Sequence, residues 1–384
     1  MLKQYELKMP SAVYSGESAL EHIKGICEGR YKKALIFTDK GIMNAGLIEK
    51  PLKYFEEAGV EYHILSDLPA EPSCDQAQAV IDESEAFGPD LIVAIGGGSV
   101  MDIAKLASML IGGELKVRDL LESPKLAKKK VASMMIPTTA GTGSEATPNS
   151  IVAVPEKELK VGIVNDEMIA DHVILDGEMI KKLPRKIAAS TGIDALCHAI
   201  ECYTSKKANP FSDTFAMEAL ELIINNIEKA CDDPEAIEAK NAMLIAAFYA
   251  GVAITASGTT AVHALSYPLG GKYHIAHGVS NAMLLMPVMR FNEPCCRERF
   301  CRVYDRVCGE KPGLSDEEKS AWVMDTMDRI VKHLDIPTDL KEFGVGKEDL
   351  DELAAAGMDV QRLLVNNMRE VTLSDAKNIY LEIM

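Results

Sequence analysis

Between residue 30 and about residue 180, short apolar runs rich in β-branched residues alternate with stretches of helical period. "KKALIFTD", "VEYHIL", "DLIVAIGGGS", "VASMMIP" and "HVILD" read as strands, and "VMDIAKLASMLI" follows the third at once as a helix. Alternation of this kind predicts a parallel sheet with helices on both faces. After "KKLP" (Lys181–Pro184) the strand signals stop. "RKIAASTGIDALCHAIECYTS", "SDTFAMEALELIINNIEKA" and "EAIEAKNAMLIAAFYAGVAITAS" carry apolar residues at three- and four-residue steps, which predicts helices. The expected organisation is an α/β domain over residues 1–183 and an all-α domain over residues 184–384. No repeat or linker rich in Gly, Ser or Pro separates them, so the two are expected to abut and leave a cleft suited to a ligand.

Composition narrows the class. A chain of 384 residues exceeds what one core usually supports, which agrees with two domains. The formal net charge of -17 argues against nucleic-acid or anionic-membrane partners, because both need basic patches. Nine cysteines without a C-x-x-C pair suggest thiols kept reduced in the cytoplasm. The start "MLKQYELKMP" does not read as an export signal. The apolar run Ala242–Ala256 is shorter than the roughly 18–20 residues of a membrane span and is expected to be a buried helix.

Two loops at predicted strand ends carry candidate chemistry. "AIGGGSVMD" sets Gly97, Gly98 and Ser99 between a strand and a helix, where backbone N–H groups and the helix N-terminus can approach a phosphate. Met101 stands where a third glycine would complete G-x-G-x-x-G, and alone the loop is equally a tight structural turn. "PTTAGTGSE" offers Thr138, Thr139 and Thr142 among glycines, suited to a ribose or pyrophosphate or to capping a helix. Asp39 ends the first clear strand, where a carboxylate can accept from a ribose 2′-OH and repel a 2′-phosphate. That placement favours NAD over NADP.

In "STGIDALCHAIE", Asp194 and His198 are spaced i, i+4 and leave one helix face together. "TTAVHALSYPLGGKYHIAHGVSN" supplies His263 and His277, with Pro268, Gly270 and Gly271 expected to turn the chain between them. One carboxylate and three imidazoles would make an N/O site suited to Fe(II) or Zn(II); separate core or capping histidines satisfy the same spacing.

"GGGSVMD", "PTTAGTGSE", "TGIDALCHAIE", "AVHALSYPLGG" and "HGVSNAMLLMPVMRFN" together resemble the iron-containing (group III) alcohol dehydrogenase family, in its order and spacing. The resemblance continues through the C-terminal "VNNMREVTLSDAKNIYLEIM" and so spans essentially the whole chain. It implies a nucleotide-binding α/β domain followed by an all-helical metal-binding domain, the architecture shared with dehydroquinate synthase. It places the metal ligands on Asp194, His198, His263 and His277. The cofactor contacts fall on Asp39, Gly97, Gly98, Ser99, Thr138, Thr139, Thr142 and Lys160, the last in "KELKVGIV". Where many members carry a histidine four residues after the third ligand, this chain has Tyr267. Tyr267 or His274 is therefore the candidate proton relay; proton exchange through water, with Tyr267 a wall of the pocket, is the alternative.

The implied activity is NAD(H)-dependent interconversion of a small alcohol and its aldehyde or ketone, with the alkoxide on a divalent metal, Fe(II) or else Zn(II). The N-terminal "YELKMPSAVYSG" is expected to pair with a second copy, implying a homodimer or larger homo-oligomer. Two rivals remain: an NAD-using lyase of the dehydroquinate-synthase type, and a non-enzymatic NAD- or metal-sensing protein. The first usually takes a glutamate and two histidines as ligands, and the second needs an effector module that no segment here resembles.

Overall fold

The computed structural model describes residues 4–68, 72–157 and 159–384. Two compact units divide the chain, one from Lys8 to Leu183 and the other from Pro184 to Met384 together with the segment ending at Leu7.

The first unit is built on a six-stranded, all-parallel sheet. Its strands are β1 (Ala12–Ser15), β2 (Lys33–Phe37), β3 (Glu61–Leu65), β4 (Leu91–Gly96), β5 (Ala132–Pro137) and, last in the sequence, β8 (His172–Leu175), in the spatial order β1-β8-β5-β4-β2-β3. Every residue of β4 is buried, as expected of a central parallel strand covered on both faces, and it pairs with β2 on one side and β5 on the other. Edge strand β3 instead exposes Glu61 and His63. β2 and β4 lie where the chain reverses its direction of winding, and ligands of open parallel sheets bind beyond the carboxyl ends of such strands. Asp39 follows β2, Gly97 follows β4 and Thr138 follows β5.

Two elements were not anticipated. Ala12–Ser15, part of the stretch expected to pair with a second copy, pairs in parallel with β8 of its own sheet. Strands β6 (Asn149–Val154) and β7 (Leu159–Val164) pair antiparallel outside the main sheet.

Helix α1 (Gly98–Leu110) leaves β4 directly and is buried almost throughout. Lys105 on it is fully buried and donates to Ser144 Oγ (2.7 Å), Thr147 Oγ1 (3.2 Å) and the Asn149 carbonyl (2.7 Å). Asp102, one turn earlier, accepts from Ser144 Oγ (2.8 Å) and the Ile151 amide (3.0 Å). These bonds fasten the loop after β5 to the helix after β4.

The second unit is helical. Among its helices are α2 (Arg185–Tyr203), α3 (Pro210–Asp232), α4 (Ile237–Ala256), α5 (Ala261–Tyr273) and α6 (His277–Cys308). α4 extends beyond the apolar run and is long and apolar enough to cross a membrane by length and composition, yet most of it is buried inside the unit. The expected turn at Pro268–Gly271 does not occur: α5 runs through these residues. The chain turns instead at His274, in the left-handed region (φ 55°), before α6 begins at His277. Helix packing overrides the local breaker signal here, since one proline removes only a single intrahelical hydrogen bond.

Candidate functional site

Three helices of the second unit converge on one point. α2 supplies Asp194 and His198 from one face, α5 supplies His263 from its first turn, and α6 supplies His277 as its first residue. One potential ligand atom from each of the four lies within 4.8 Å of every other. Asp194 Oδ1 is 3.8 Å from His198 Nε2, 3.6 Å from His263 Nε2 and 3.6 Å from His277 Nε2. The His198 and His263 rings stack at 4.5 Å, and the His263 and His277 rings meet edge-on at 5.3 Å. Asp194, His198 and His263 are buried, whereas 40% of the His277 side chain is exposed, so the cluster opens on that side.

Gly278 brings α6 against α2. A Cβ at this position would lie 2.3 Å from the Ser190 carbonyl oxygen, so no larger residue fits without moving the helices apart. Asp194 follows Ser190 by one turn, and His277 immediately precedes Gly278.

Electrostatics couple the groups of the cluster closely. Burial works against ionising Asp194, but His198, His277 and His263 outweigh it and hold the carboxyl well below its ordinary range. Burial pushes His198 down to about 4. His263 suffers the same burial but lies against both Glu201 and Asp194, which push it up to about 10. Glu201 is also held below the usual carboxylate range: burial opposes ionisation, and His263 and hydrogen bonds from Thr260 overcome it. Two buried carboxylates thus lie against His263, and Asp194 with the three imidazole nitrogens is a donor set that could hold a divalent cation with N/O preference. The Asn281 amide nitrogen reaches into the same gap, 2.7 Å from Asp194 Oδ1 and 3.2 Å from both His263 Nε2 and His277 Nε2. Its Oδ1 is buried without a hydrogen-bond partner, as expected if the amide stands among groups arranged for another ligand.

Tyr267 lies one turn beyond His263 on α5. Its ring centroid is 6.2 Å from that of His277, and its hydroxyl accepts from Arg362 Nη2 at 3.4 Å. His274 is the exposed cap of α5, and the structure brings Tyr267 rather than His274 against the cluster. Glu201 and Asn281 escaped the sequence reading. For Glu201 a signal existed, since Asp194, His198 and Glu201 stand at i, i+4 and i+7 on one face of α2.

In the first unit the two glycine-containing loops face each other. A Cβ on Gly97 would touch the Thr139 side chain at 3.5 Å, and one on Gly98 would press against Thr142 at 3.0 Å. Gly97 caps α1, with Gly98 and Ser99 opening its first turn, so backbone amides of a helix N-terminus lie beside two threonines. Thr138 is buried, its amide bonded to the Gly96 carbonyl at 3.0 Å. Asp39 caps the short helix Lys40–Asn44, accepting from the Ile42 amide at 3.0 Å. Lys160 is on β7, opposite Ala153.

Comparison with known proteins adds to this geometry. Residues 10–177 match the family model described as iron-containing alcohol dehydrogenase, and residues 188–384 match the C-terminal model of the Fe-containing alcohol dehydrogenase family. The chain is 34% identical over 352 residues to long-chain-alcohol dehydrogenase 1 of Geobacillus thermodenitrificans, covering 91% of this chain and 89% of that protein. Among solved structures it resembles a 1,3-propanediol oxidoreductase with a TM-score of 0.93 and 29% identity, over 100% of both chains. It also resembles the sulfoacetaldehyde reductase of Bifidobacterium kashiwanohense in complex with NAD+, with a TM-score of 0.89 and 27% identity, over 100% of this chain and 99% of the other.

Proposed function

Because the chain belongs to the iron-containing alcohol dehydrogenase family, we propose that it is a metal-dependent oxidoreductase moving hydride between NAD(H) and a small alcohol or its aldehyde or ketone. The convergence of Asp194, His198, His263 and His277 carries this reading. When bound, a divalent metal supplies Lewis acidity to the substrate oxygen, and the nicotinamide supplies the hydride acceptor. Oxidation of R–CHOH–R′ by NAD+ yields the carbonyl compound, NADH and one proton.

The protein's own groups have three tasks. Asp194 would offset part of the cation's charge, and His198, His263 and His277 would present nitrogen donors once the ion displaces the proton that the neighbouring carboxylates hold on His263. Burial of three of the four keeps water from competing for them. The exposed side of His277 is the entry for substrate. There the Tyr267 hydroxyl relays the substrate proton, with Arg362 as its hydrogen-bond partner. A hydroxyl both donates and accepts hydrogen bonds, so this group can act as the donor when a carbonyl is reduced. His274, on the exposed cap of α5, is the second candidate for the relay.

For the cofactor we assign Gly97, Gly98 and Ser99 to the pyrophosphate, Thr138, Thr139 and Thr142 to its flank, Lys160 to the ribose–phosphate region, and Asp39 to the adenosine ribose. Fe(II) is the favoured ion on the family's chemistry, and Zn(II) suits the same donors. All nine cysteines are free thiols, in keeping with a reducing cytoplasm. A homodimer or higher homo-oligomer is proposed, to be read by light scattering.

The deciding experiment is a panel of short aldehydes with NADH and with NADPH, on protein whose metal content has been quantified. Saturable, stoichiometric NADH oxidation with at least one aldehyde is expected. Conversion without net NADH change would point to a lyase, and no turnover with any aldehyde would overturn the reading.

A further inference from the structure

We infer that Glu201 is a positioning residue for the metal centre: by accepting from His263 Nδ1 it fixes the imidazole in the tautomer and orientation that present Nε2 to the ion. The inference rests on the reading of the cluster as a metal site.

Glu201 is completely buried on α2, and hydrogen bonds to both of its oxygens define its orientation. Oε1 accepts from the Thr260 amide (3.0 Å), the Thr260 hydroxyl (2.7 Å) and the Val262 amide (2.8 Å), with the His263 amide at 3.4 Å. These donors belong to the first turn of α5 and the residue before it. N–H groups there have no partner within their own helix, and Thr260 makes no side-chain cap of its own. A carboxylate from a neighbouring helix therefore does the capping. Its other oxygen, Oε2, faces His263 Nδ1 in a short contact.

The consequence follows from donor and acceptor inventory. An ionised carboxylate only accepts, so a neutral His263 bonded to it carries its hydrogen on Nδ1. Nε2 then keeps its lone pair on the side of Asp194, which lies 3.6 Å away. The same residue thus anchors the start of α5 and sets the chemistry of the ligand that α5 supplies. Carboxylate–histidine pairs of this kind raise ligand basicity, and disrupting them typically weakens metal binding about 10- to 100-fold.

Glu201→Gln separates the two roles. Four donors meet at Oε1, so the amide oxygen of a glutamine must stay there and its NH2 must face His263 Nδ1. That NH2 can only donate, which moves the imidazole hydrogen to Nε2, the nitrogen aimed at the ion. The cap on α5 survives and the ligand is reversed.

The test is Zn(II) affinity of the full-length protein by chelator competition, with thermal unfolding of the metal-free forms and nitrogen-15 NMR of the histidine rings in the Zn(II)-loaded forms. Metal-free Glu201→Gln should still unfold cooperatively, at a lower temperature than wild type because the buried carboxylate beside His263 loses its charge, and should bind Zn(II) about 10- to 100-fold more weakly. Wild type should show a slowly exchanging Nδ1 proton on His263 that the variant lacks, a signal that a merely structural cap would not move. Equal Zn(II) affinity of variant and wild type, or a Zn(II)-loaded wild type whose His263 carries no Nδ1 proton, overturns the inference. The second observation decides the matter even if the variant does not fold. Wild type that binds no Zn(II) or Fe(II) at all overturns the metal-centre reading itself.

Discussion

Gly278→Ala places one methyl group at the point where α6 meets α2. The added Cβ would lie 2.3 Å from Ser190 O and 2.7 Å from Ser190 C, both backbone atoms that cannot rotate away. Ordinary carbon contacts require about 3.5 Å, so relief needs the two helices to part by roughly 1 Å. That displacement acts next to His277 and one turn from Asp194, whose ligand atoms are 3.6 Å apart. Metal sites tolerate ligand displacements of only about 0.2 Å, so a shift of this size would take His277 out of reach of an ion held by the other three. Overpacking of this kind costs about 1–3 kcal/mol in fold stability. We expect the variant to fold, to lose stability in that range by urea denaturation of the metal-free protein, and to bind Zn(II) at least about tenfold more weakly. Gly25→Ala is the control: it sits in a helix with open space around its Cβ position, and should change stability by at most about +1 kcal/mol. A Gly278→Ala protein with wild-type stability and metal affinity would refute the claim that this close approach sets the geometry of the centre.

Three further outcomes are expected. Burial pushes the Glu145 carboxyl up to about 7 from an ordinary 4.5, against the partial opposition of its own backbone hydrogen bond and Lys105. The folded state thus holds this proton more tightly than the unfolded chain, so the stability of wild type relative to Glu145→Gln should fall by on the order of 3 kcal/mol as pH rises from 4.5 to about 7. Urea titrations of both proteins across the range give this difference, and a difference that does not change with pH would contradict the assignment. Tyr267→Phe should lower kcat about 100-fold and alter its pH profile if the hydroxyl relays a proton; an unchanged rate and profile would remove it from the mechanism. Asp39→Asn keeps an effective helix cap but discards the charge, so the ratio of NADPH to NADH use should rise. An unaltered ratio would dissociate Asp39 from cofactor choice.

The sheet was legible because its central strands are continuous apolar runs bounded by turn residues, as in β4, and because each is followed by a helical period. β1 was less so: four residues of partly exposed pattern gain their partner only from β8, far along the chain. The pair β6–β7 follows a glycine-rich loop whose anchorage to α1, through buried Lys105 and Asp102, is a tertiary matter that no local pattern announces. At the proposed metal site, imidazoles and a carboxylate at helical spacing are visible in sequence. Their supports are less visible, because Glu201 owes its role to donors sixty residues away at the start of α5 and Gly278 owes its smallness to Ser190 on another helix. Pro268 shows the converse error: a strong local breaker was read as a turn, and packing carried the helix through it.

The most direct test of the account is to titrate metal-free protein with Fe(II) under anoxic conditions while following aldehyde-dependent NADH oxidation. The account predicts a rate that starts near zero and rises in proportion to added iron until one ion is bound per chain. Full activity before any metal is added, or a break at two ions per chain, would contradict it.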